Sequence, residues 1–320
     1  MKTLVIGGSR FVGLRLVWEL TGQGHEVCVL NRGTTPAPLP QGIERITCDR
    51  KDPTALRKAL SKREFDAVFD IIAYVPDDTK PLVEILDGKV GKFVHVSTGS
   101  VYKSQNVFPW KEHFDKVTDN SEGEYGYQKQ LIEEVLFAAY HRSGFPAVMI
   151  RPGVIYGPHN NVYRESMLFD RIVKGRPVLV PGDGTYLTQF GYVDDLARLL
   201  VLAARSECSS GQAYNFAGEY AYPMNDYVEM LFEAGGKPVQ MMHFAPEKVG
   251  LSIKEVSKVF PFRFRTHTVR DISKAIYELG YAEQMSLREG LKHSYRWYIE
   301  HQIERTDIDF SLEDRIMASV

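Results

Sequence analysis

Short apolar runs alternate with amphipathic stretches through the first half of the chain. The apolar runs predict strands at Thr3–Ile6, Glu26–Leu30, Arg45–Thr47, Ala67–Ile72, Lys92–Ser97 and Ala147–Ile150. The stretches between them predict helices at Phe11–Leu20, Thr54–Ser61, Thr79–Leu86 and Glu124–His141. Strands of this length that alternate with helices are typical of a parallel sheet covered on both faces. The pattern therefore predicts a doubly wound α/β fold.

The first predicted strand passes without a spacer into a glycine-rich turn and then into the first predicted helix. Gly7 and Gly13 occupy the outer positions of a G-x-x-G-x-x-G turn, and Arg10 stands where a middle glycine is usual. Backbone N–H groups and a helix N-terminus then point to one place, where they can neutralise a pyrophosphate. The alternative is a structural turn, but the strand before it and the helix after it favour a dinucleotide site.

The second half of the chain is less regular, with proline, glycine and aromatic residues in its turns. A helix near Val193–Ala204 and a strand near Ala213–Phe216 predict a return to the sheet. The rest would form a smaller lobe over the carboxyl ends of the strands, where such sheets bind ligands. We therefore expect a dinucleotide-binding domain of residues 1–156 and about 189–217, and a substrate-binding lobe of about 157–188 and 218–320.

Composition narrows the classes of protein to consider. The chain has 320 residues, of which 44% are hydrophobic, and a net charge of −2, so it offers no electrostatic footprint for nucleic acid or an anionic membrane. No apolar run approaches the roughly 20 residues of a membrane span, and no signal peptide precedes the first strand. We expect a cytoplasmic protein without a membrane partner. Three cysteines without a C-x-x-C pair predict no metal site.

A tyrosine and a lysine lie four residues apart at the start of the helix that follows the fifth strand. Tyr125 and Lys129 share one helical face, and a nearby cation lowers a phenol pKa from about 10 toward the range of proton exchange with a substrate. Thr98 ends the fifth strand, where its hydroxyl can donate to a carbonyl oxygen, although a strand-end cap is the common role of such a residue. Together with the glycine turn, the three residues predict an acid–base site.

At these motifs the chain resembles the extended branch of the short-chain dehydrogenase/reductase superfamily, also called the NAD-dependent epimerase/dehydratase family. Further matches, over nearly the whole chain, are Ser97–Tyr102, Arg151–Pro158, Gly182–Gly184, Tyr192–Asp195 and Asp271–Ala275. The resemblance implies a Rossmann fold in which Tyr125 is the general acid/base, Lys129 holds the nicotinamide ribose and Thr98 polarises the reacting oxygen. It also implies that Asp49 lies near the adenine, Ala73 and Pro152 lie near the nicotinamide, and the helix of Tyr125 can form a homodimer face.

Asn31 and Arg32 decide which cofactor we expect. An acidic residue at the end of the second strand would select NAD, but Asn31 stands there. Arg32 and Arg10 would pair with a 2′-phosphate, which favours NADP over NAD. The alternative is a solvated Arg32 and an Asn31 that only caps the strand. The predicted cofactor-binding residues are Gly7, Ser9, Arg10, Phe11, Val12, Asn31, Arg32, Asp49, Ala73, Tyr125, Lys129 and Pro152.

Several departures from the family pattern narrow the activity. Gly99 and Ser100 stand where dehydratases of this branch carry Asp and Glu, which argues against a sugar 4,6-dehydratase. Val154 and Thr188 replace residues that contact a nucleotide diphosphate in related enzymes. Arginines in the segment 263–270 would supply replacement charge, although surface and ion-pair roles are more frequent for such residues.

The turn Gly7–Gly13 and the segment Thr188–Leu196 resemble an atypical subgroup that includes the chloroplast stem-loop-binding proteins, which are associated with RNA and have a degraded Tyr-x-x-x-Lys motif. This chain retains the pair, which favours an active NAD(P)-dependent oxidoreductase or epimerase on a sugar-like or nucleotide-sugar substrate. The predicted substrate contacts are Tyr74, Ser100, Tyr156 and His159.

The alternative function is a non-catalytic dinucleotide-sensing or RNA-associated protein on the same fold. Its best feature is the aromatic and basic alternation Phe262–Arg265, which single-stranded nucleic acid can use. An amphipathic strand explains the same alternation more simply, and the balanced net charge argues against nucleic acid as a partner.

Overall fold

In the computed structural model, which describes residues 1–319, strands and helices alternate through the first half of the chain. The strands are β1 (Lys2–Ile6), β2 (Glu26–Asn31), β3 (Glu44–Thr47), β4 (Phe65–Asp70), β5 (Val90–Val96), β6 (Ala147–Pro152) and β7 (Val154–Tyr156). The helices are α1 (Phe11–Gly22), α2 (Pro53–Leu60), α3 (Pro76–Leu86) and α4 (Glu124–Ser143). Every strand and helix predicted in this half is present, with ends that differ by a few residues.

The second half begins with short elements and then returns to the central sheet. Its strands are β8 (Val178–Pro181), β9 (Leu187–Tyr192), β10 (Gln212–Phe216), β11 (Ala221–Pro223) and β12 (Met241–Phe244). Its helices are α5 (Glu165–Val173), α6 (Val193–Arg205), α7 (Met224–Ala234), α8 (Ile253–Val256), α9 (Ser273–Leu279), α10 (Leu287–Glu300) and α11 (Ser311–Met317). The predicted return of the chain to the sheet is confirmed.

The central sheet contains seven strands in the order β10-β6-β5-β4-β1-β2-β3, and every neighbouring pair is parallel. In this register Ile6 lies opposite both Leu30 and Asp70, and Asp70 lies opposite His95. The strands therefore end together, and the loops that follow them leave the sheet along one edge. The prediction of a doubly wound α/β fold is confirmed.

Each face of this sheet packs against helices. On one face, an apolar cluster joins the strands to α1 and α6, with Leu16 and Leu200 fully buried. On the other face, the cluster joins the strands to α2, α3 and α4, with Leu56, Leu82 and Leu136 fully buried. Burial on both faces explains why the strand sequences are nearly continuous apolar runs and do not alternate between apolar and polar residues.

The chain divides into two compact units. The first contains Met1–Ile155, Val193–Ala217 and Arg270–Gln284, and the second contains the rest of the described chain. The predicted boundary assigned all of 218–320 to the lobe, but the structure places Arg270–Gln284 with the first unit. The physical reason is local: the Asp271 N–H donates to the Trp110 carbonyl at 2.9 Å, and α9 packs on β10.

The second unit has a small aromatic core and two strand pairs of its own. β9 pairs antiparallel with β11, and β8 pairs parallel with β12. The rings of Phe190 and Tyr227 stack at 4.1 Å, with Phe262 edge-on to both. Within residues 1–319, none of the helices combines the length and apolar character that a membrane crossing requires.

Candidate active site

The glycine turn joins β1 to α1 at the edge where the parallel strands end. Gly7 has a φ of +97°, which favours glycine, and a Cβ there would lie 2.6 Å from the Ile72 side chain. A Cβ at Gly13 would lie 2.9 Å from the Gly7 carbonyl carbon, so α1 can approach the turn only because residue 13 has no side chain. The first turn of α1 contains no acidic residue, so nothing there opposes an anion at the helix N-terminus.

Polar side chains connect this turn to the end of β2. The Asn31 amide donates to Ser9 Oγ at 2.7 Å, and its carbonyl oxygen accepts from the Gly33 N–H at 2.9 Å. Arg10 is exposed, and its Nη2 lies 3.4 Å from Thr35 Oγ1, which places the guanidinium beside the loop that follows β2. Arg32 is exposed in the same loop. Asn31 therefore both caps the strand and orients the glycine turn.

The end of β5 meets the start of α4. Thr98 Oγ1 accepts a hydrogen bond from the Ser100 N–H at 3.2 Å and begins a short 3₁₀ turn over Gly99–Val101. A Cβ at Gly126 would lie 3.1 Å from the Ser100 carbonyl carbon, so the first turn of α4 lies directly on this turn. Tyr125 stands one residue before that contact and is 49% exposed. The structure thus brings the Tyr125 and Thr98 segments together, with the phenol accessible.

Lys129 lies on the buried side of the same helix and is only 2% exposed. Its Nζ donates to the Val96 carbonyl at 2.6 Å and lies 3.5 Å from His95 Nε2, so β5 fixes the position of the ammonium group. The Tyr74 ring centroid is 5.9 Å from the same nitrogen. Burial lowers the pKa of Lys129 to about 8, although the Asp70 carboxylate acts in the opposite direction.

A set of buried charges beneath Lys129 was not predicted from the sequence. Arg50 binds Asp70 with two hydrogen bonds of 2.5 and 3.0 Å and also donates to the Asp78 carbonyl at 2.7 Å. His95 is fully buried, and burial followed by the nearby Lys129 and Arg50 charges lowers its pKa well below the usual value. A neutral His95 can accept a hydrogen bond from the ammonium group of Lys129. One sequence feature could have indicated these buried charges. Asp70 is a carboxylate inside an apolar strand pattern, and a buried carboxylate needs a partner.

The buried lysine makes the stability of the protein depend on pH. The Lys129 pKa falls from 10.5 to about 8 on folding, so between these values the unfolded chain binds more protons and stability rises with pH. We expect Lys129→Met to be at least as stable as wild type at pH 7. Its advantage should shrink by up to about 3 kcal/mol between pH 8 and 10.5, where wild type recovers the cost of burying the charge.

Chemical denaturation across that pH range checks this expectation. Lys80→Met is the matched control, because the Lys80 side chain on α3 is exposed and its ammonium group loses little hydration on folding. A stability difference between Lys129→Met and wild type that stays constant from pH 8 to 10.5 would contradict the role of burial.

A second buried polar network holds the ends of β5 and β6 to α4. Glu133 accepts from Arg151 Nη2 at 2.6 Å and from Arg151 Nε at 2.9 Å, and the Ser97 hydroxyl donates to it at 2.6 Å. Arg151 also contacts the Tyr102 hydroxyl at 3.1 Å, which in turn donates to Asn215 at 2.6 Å. The segment that precedes Thr98 is therefore tied to the same helix that carries Tyr125 and Lys129.

The remaining predicted residues of the first unit lie along the same edge of the sheet. Asp49 is exposed after β3, and its carboxylate accepts from the Lys51 N–H at 3.0 Å. Ala73 is fully buried in the loop after β4, and Pro152 is buried at the end of β6. Phe11 and Val12, which open α1, are buried against the sheet, so only their backbone groups can face a ligand.

Two of the predicted substrate contacts belong to the second unit. Tyr156 is 1% exposed, its hydroxyl lies 3.5 Å from the Ser286 carbonyl, and its ring occupies the space that Gly290 leaves open. Tyr156 therefore has a packing role in this structure, and its contact with a substrate stays a prediction. His159 is half-buried at a φ of +65°, and its ring lies 4.8 Å from the Trp297 ring.

The aromatic and basic segment at Phe262–Arg265 also has a clear arrangement. Phe262 and Phe264 are buried, and Phe264 belongs to an apolar cluster with Leu179 and Val256. Arg263 and Arg265 are exposed. The two rings are thus core residues of the second unit, which removes them as a stacking surface for bases.

Comparison with known proteins identifies the family. The model of the NAD dependent epimerase/dehydratase family matches residues 3–217. The chain belongs to this family. This membership agrees with the glycine turn, the parallel sheet and the resemblance read from the sequence. It also makes a nicotinamide dinucleotide the cofactor to test against the site.

The relatives that resemble this chain carry names for different activities. The chain is 30% identical to chloroplast stem-loop binding protein of 41 kDa b from Arabidopsis thaliana, over 99% of this chain and 84% of that protein. It is 25% identical to 2′-dehydrokanamycin reductase from Streptomyces kanamyceticus, over 74% of this chain and 68% of that protein. Family membership therefore leaves the reaction open.

A solved structure shares the fold over nearly the whole chain. The structure of UDP-glucuronic acid 4-epimerase from Bacillus cereus, in complex with UDP-glucuronic acid and NAD, superposes with a TM-score of 0.76 at 24% identity. The alignment covers 94% of this chain and 100% of that one. This likeness shows that the two proteins share a fold.

Proposed function

We propose that the chain is an NADP-dependent oxidoreductase or epimerase that acts on a hydroxyl or carbonyl group of a sugar-like substrate. The observation that carries this proposal is the packing of the first turn of α4 on the turn after Thr98, with Lys129 fixed beneath it. Tyr125, Thr98 and Lys129 are thus on adjoining segments at the ligand-binding edge of the sheet.

The glycine turn has the features that a dinucleotide requires. Gly13 has no side chain, which lets the N-terminus of α1 approach the backbone of Gly7 closely. That helix end can bind a pyrophosphate through its N–H groups and its dipole. When bound, the nicotinamide supplies or accepts the hydride. In this proposal Lys129 holds the adjoining ribose, and Ala73 and Pro152 lie beside the nicotinamide.

Proton transfer at the substrate oxygen is assigned to Tyr125. Its phenol is half exposed, and Lys129 stands four residues, about one helical turn, further along α4. Thr98 Oγ1 accepts from the Ser100 N–H, so its own hydrogen is the group that can be donated to a substrate oxygen. The substrate contacts proposed in the first unit are Ser100 and Tyr74, whose ring lies near Lys129.

The substrate class follows from what the site contains and lacks. Gly99 and Ser100 offer no acid–base pair for removing water, which weighs against 4,6-dehydratase activity. The names of the kanamycin-related reductase and the UDP-sugar epimerase support a sugar-like or nucleotide-sugar substrate. Thr188 accepts a hydrogen bond from Thr268 at 3.0 Å, so a diphosphate would find a hydroxyl rather than a guanidinium at that position.

The direct test is turnover of a panel of UDP-glucose, UDP-glucuronate and free aldoses and ketoses. Reduction is read from NADPH absorbance, and epimerisation is read from the proton NMR spectrum of the products with NADP⁺ bound. Conversion of any member supports the proposal. Failure of the protein to bind either NADPH or NADH would remove the enzymatic assignment.

We expect the protein to prefer NADPH to NADH. Arg10 lies against the loop that follows β2, and Arg32 belongs to that loop, so two guanidiniums are available for a 2′-phosphate. Arg10→Gln and Arg32→Gln should each weaken NADPH binding by about tenfold to a hundredfold and leave NADH binding nearly unchanged. Titration of nicotinamide fluorescence measures both affinities.

Arg57→Gln serves as the control for this titration, because Arg57 is an exposed arginine on α2 that pairs with Glu84. Equal affinities of wild type for the two cofactors would contradict the expected preference, and tighter binding of NADH would assign NAD. An equal loss of NADPH and NADH affinity in the Arg10 variant would show that Arg10 acts on the turn and not on a phosphate.

One relative favours a second candidate function. The stem-loop binding protein of Arabidopsis is similar over 99% of this chain, and its name describes stem-loop binding. The buried rings of Phe262 and Phe264 leave only Arg263 and Arg265 of that segment for such a role. A gel shift with a stem-loop RNA that weakens steeply with salt would support this candidate, and no retention at low salt would exclude it.

A further inference from the structure

A fully buried histidine near the end of β5 lies beside the ammonium group of Lys129. His95 Nε2 is 3.5 Å from Lys129 Nζ. The next residue of the strand, Val96, accepts a hydrogen bond from the same nitrogen through its carbonyl at 2.6 Å. Two successive residues of β5 therefore contact the ammonium group, one through its side chain and one through its backbone.

The surroundings of His95 decide which of its ring nitrogens carries a hydrogen. Burial, followed by the nearby positive charges of Lys129 and Arg50, lowers the pKa of His95 well below its usual value. The ring is therefore neutral, so one nitrogen donates and the other accepts. An ammonium group can only donate, so Nε2, which lies next to it, is the acceptor and Nδ1 carries the hydrogen.

The N–H at Nδ1 of His95 has no protein partner. Among residues 1–319, no group accepts a hydrogen bond from this nitrogen. Burial of a donor without a partner costs folding free energy, and an apolar side chain of similar size would avoid that cost. The stability of the sheet therefore does not explain a polar ring here. The interaction that a histidine adds at this position is the one with Lys129.

The ammonium group of Lys129 keeps a donor for a ligand. It has three N–H groups, and its hydrogen-bond partners in the described part of the chain are Val96 and His95. One N–H is therefore left over. The Tyr74 ring centroid is 5.9 Å from the same nitrogen, and Tyr74 is 56% exposed. The ammonium group thus lies just beneath the protein surface, although Lys129 itself is nearly buried.

We infer that His95 is a positioning residue, which accepts one N–H of Lys129 and so directs another toward the nicotinamide ribose. An ammonium group held by the Val96 carbonyl alone could still turn on its flexible four-carbon stem. A second acceptor restricts this motion, and a group fixed before binding loses less freedom when the ligand binds. This inference rests on the proposed function, because that function assigns Lys129 to the ribose.

The test is a double-mutant cycle of His95→Met and Lys129→Met. Nicotinamide fluorescence measures the NADPH affinity at pH 7, below the Lys129 pKa of about 8, where the ammonium group is charged. We expect Lys129→Met to weaken NADPH binding about tenfold or more, and His95→Met to weaken it about threefold to tenfold. The double variant should bind NADPH as Lys129→Met does, because His95 acts only through the ammonium group.

Two polar variants separate hydrogen bonding by His95 from packing, and they also serve if His95→Met does not fold. Glutamine can place its side-chain oxygen near the position of Nε2, whereas asparagine is shorter and reaches only as far as Nδ1. His95→Gln should keep NADPH affinity within about twofold of wild type, and His95→Asn should lose about as much as His95→Met. Val94→Ala is the control, because Val94 precedes His95 in β5 but packs in the apolar cluster with α1 and α6. It should bind NADPH as wild type does.

The outcomes that would overturn the inference are specific. They are wild-type NADPH affinity in either single variant, a loss in the double variant beyond that of Lys129→Met, or equal affinities of His95→Gln and His95→Asn. Failure of this inference differs from failure of the proposed function. A wild-type protein that binds neither NADPH nor NADH refutes the proposed function. A loss of affinity in Lys129→Met that His95→Met does not share refutes only the role of His95.

Discussion

Replacing Tyr125 by phenylalanine is expected to lower turnover by about 10² to 10⁴-fold, the usual contribution of a positioned acid–base group. The side chain of Tyr125 is accessible to a substrate, and a phenylalanine ring at this position has no proton to exchange. The measurement is the rate at which the variant converts whichever sugar the wild-type protein converts. Because the phenol is assigned to proton transfer, NADPH affinity should change by less than about threefold.

Tyr127→Phe is the control for that experiment. Tyr127 stands two residues later on α4, outside the face shared by Tyr125 and Lys129, and it is half-buried. Its variant should retain wild-type turnover, which would show that losing a hydroxyl from this helix has no general effect. A Tyr125→Phe protein that kept more than about a tenth of the wild-type rate would refute the role of Tyr125.

The fold was predictable because its signals are local. Each buried strand is an apolar run flanked by polar turns, and the glycine turn combines three local features, a strand, close backbone approaches and a helix start. The spacing of Tyr125 and Lys129 predicts a common helical face, and in the structure both residues lie on α4, with Lys129 buried against β5 and Tyr125 half exposed. The sheet order then brought the separate segments to a common edge.

The buried charges were not predictable in the same way. Asp70 lies in a strand pattern, and its partner Arg50 comes from the loop after another strand, so the pairing depends on strand order. Glu133 and Lys129 point inward from α4, although amphipathic patterning assigns charged residues to the outer face of a helix. Periodicity identifies which positions are apolar, and it carries no information on which buried charges meet.

The surroundings of Tyr156 and Arg270 also could not be predicted from the sequence, because both depend on residues far along the chain. The position of Tyr156 in a motif suggested a ligand contact, but Gly290, far along the chain, makes room for its ring and it becomes a core residue. Arg270 was one of three arginines in a charged segment, and only the packing of Gly99 and Gly153 distinguishes it from the exposed Arg263. Contacts between distant residues decided both cases.

Glu133→Gln is expected to destabilise the protein by about 3–5 kcal/mol, the typical cost of breaking a buried ion pair by removing one partner. Arg151 is 2% exposed and donates two hydrogen bonds to Glu133, so the variant leaves its charge buried beside a neutral amide. Burial by itself lowers the pKa of Arg151, but the Glu133 carboxylate raises it above the ordinary value, so deprotonation offers no relief. The free energy of unfolding from urea denaturation is the measurement.

Two further variants serve as controls for the free energy of unfolding of Glu133→Gln. Glu84→Gln removes the acidic partner of an exposed pair with Arg57 and should cost less than about 1 kcal/mol, because water solvates the remaining guanidinium. Glu133→Gln combined with Arg151→Met removes both charges and should recover a large part of the loss, since the unpaired charge is the main cost. A Glu133→Gln protein as stable as Glu84→Gln would show that the network around Ser97 does not hold α4 against the sheet. In that case the positions of Tyr125 and Lys129 would have to depend on the apolar packing of α4 and on the close approach of Gly126.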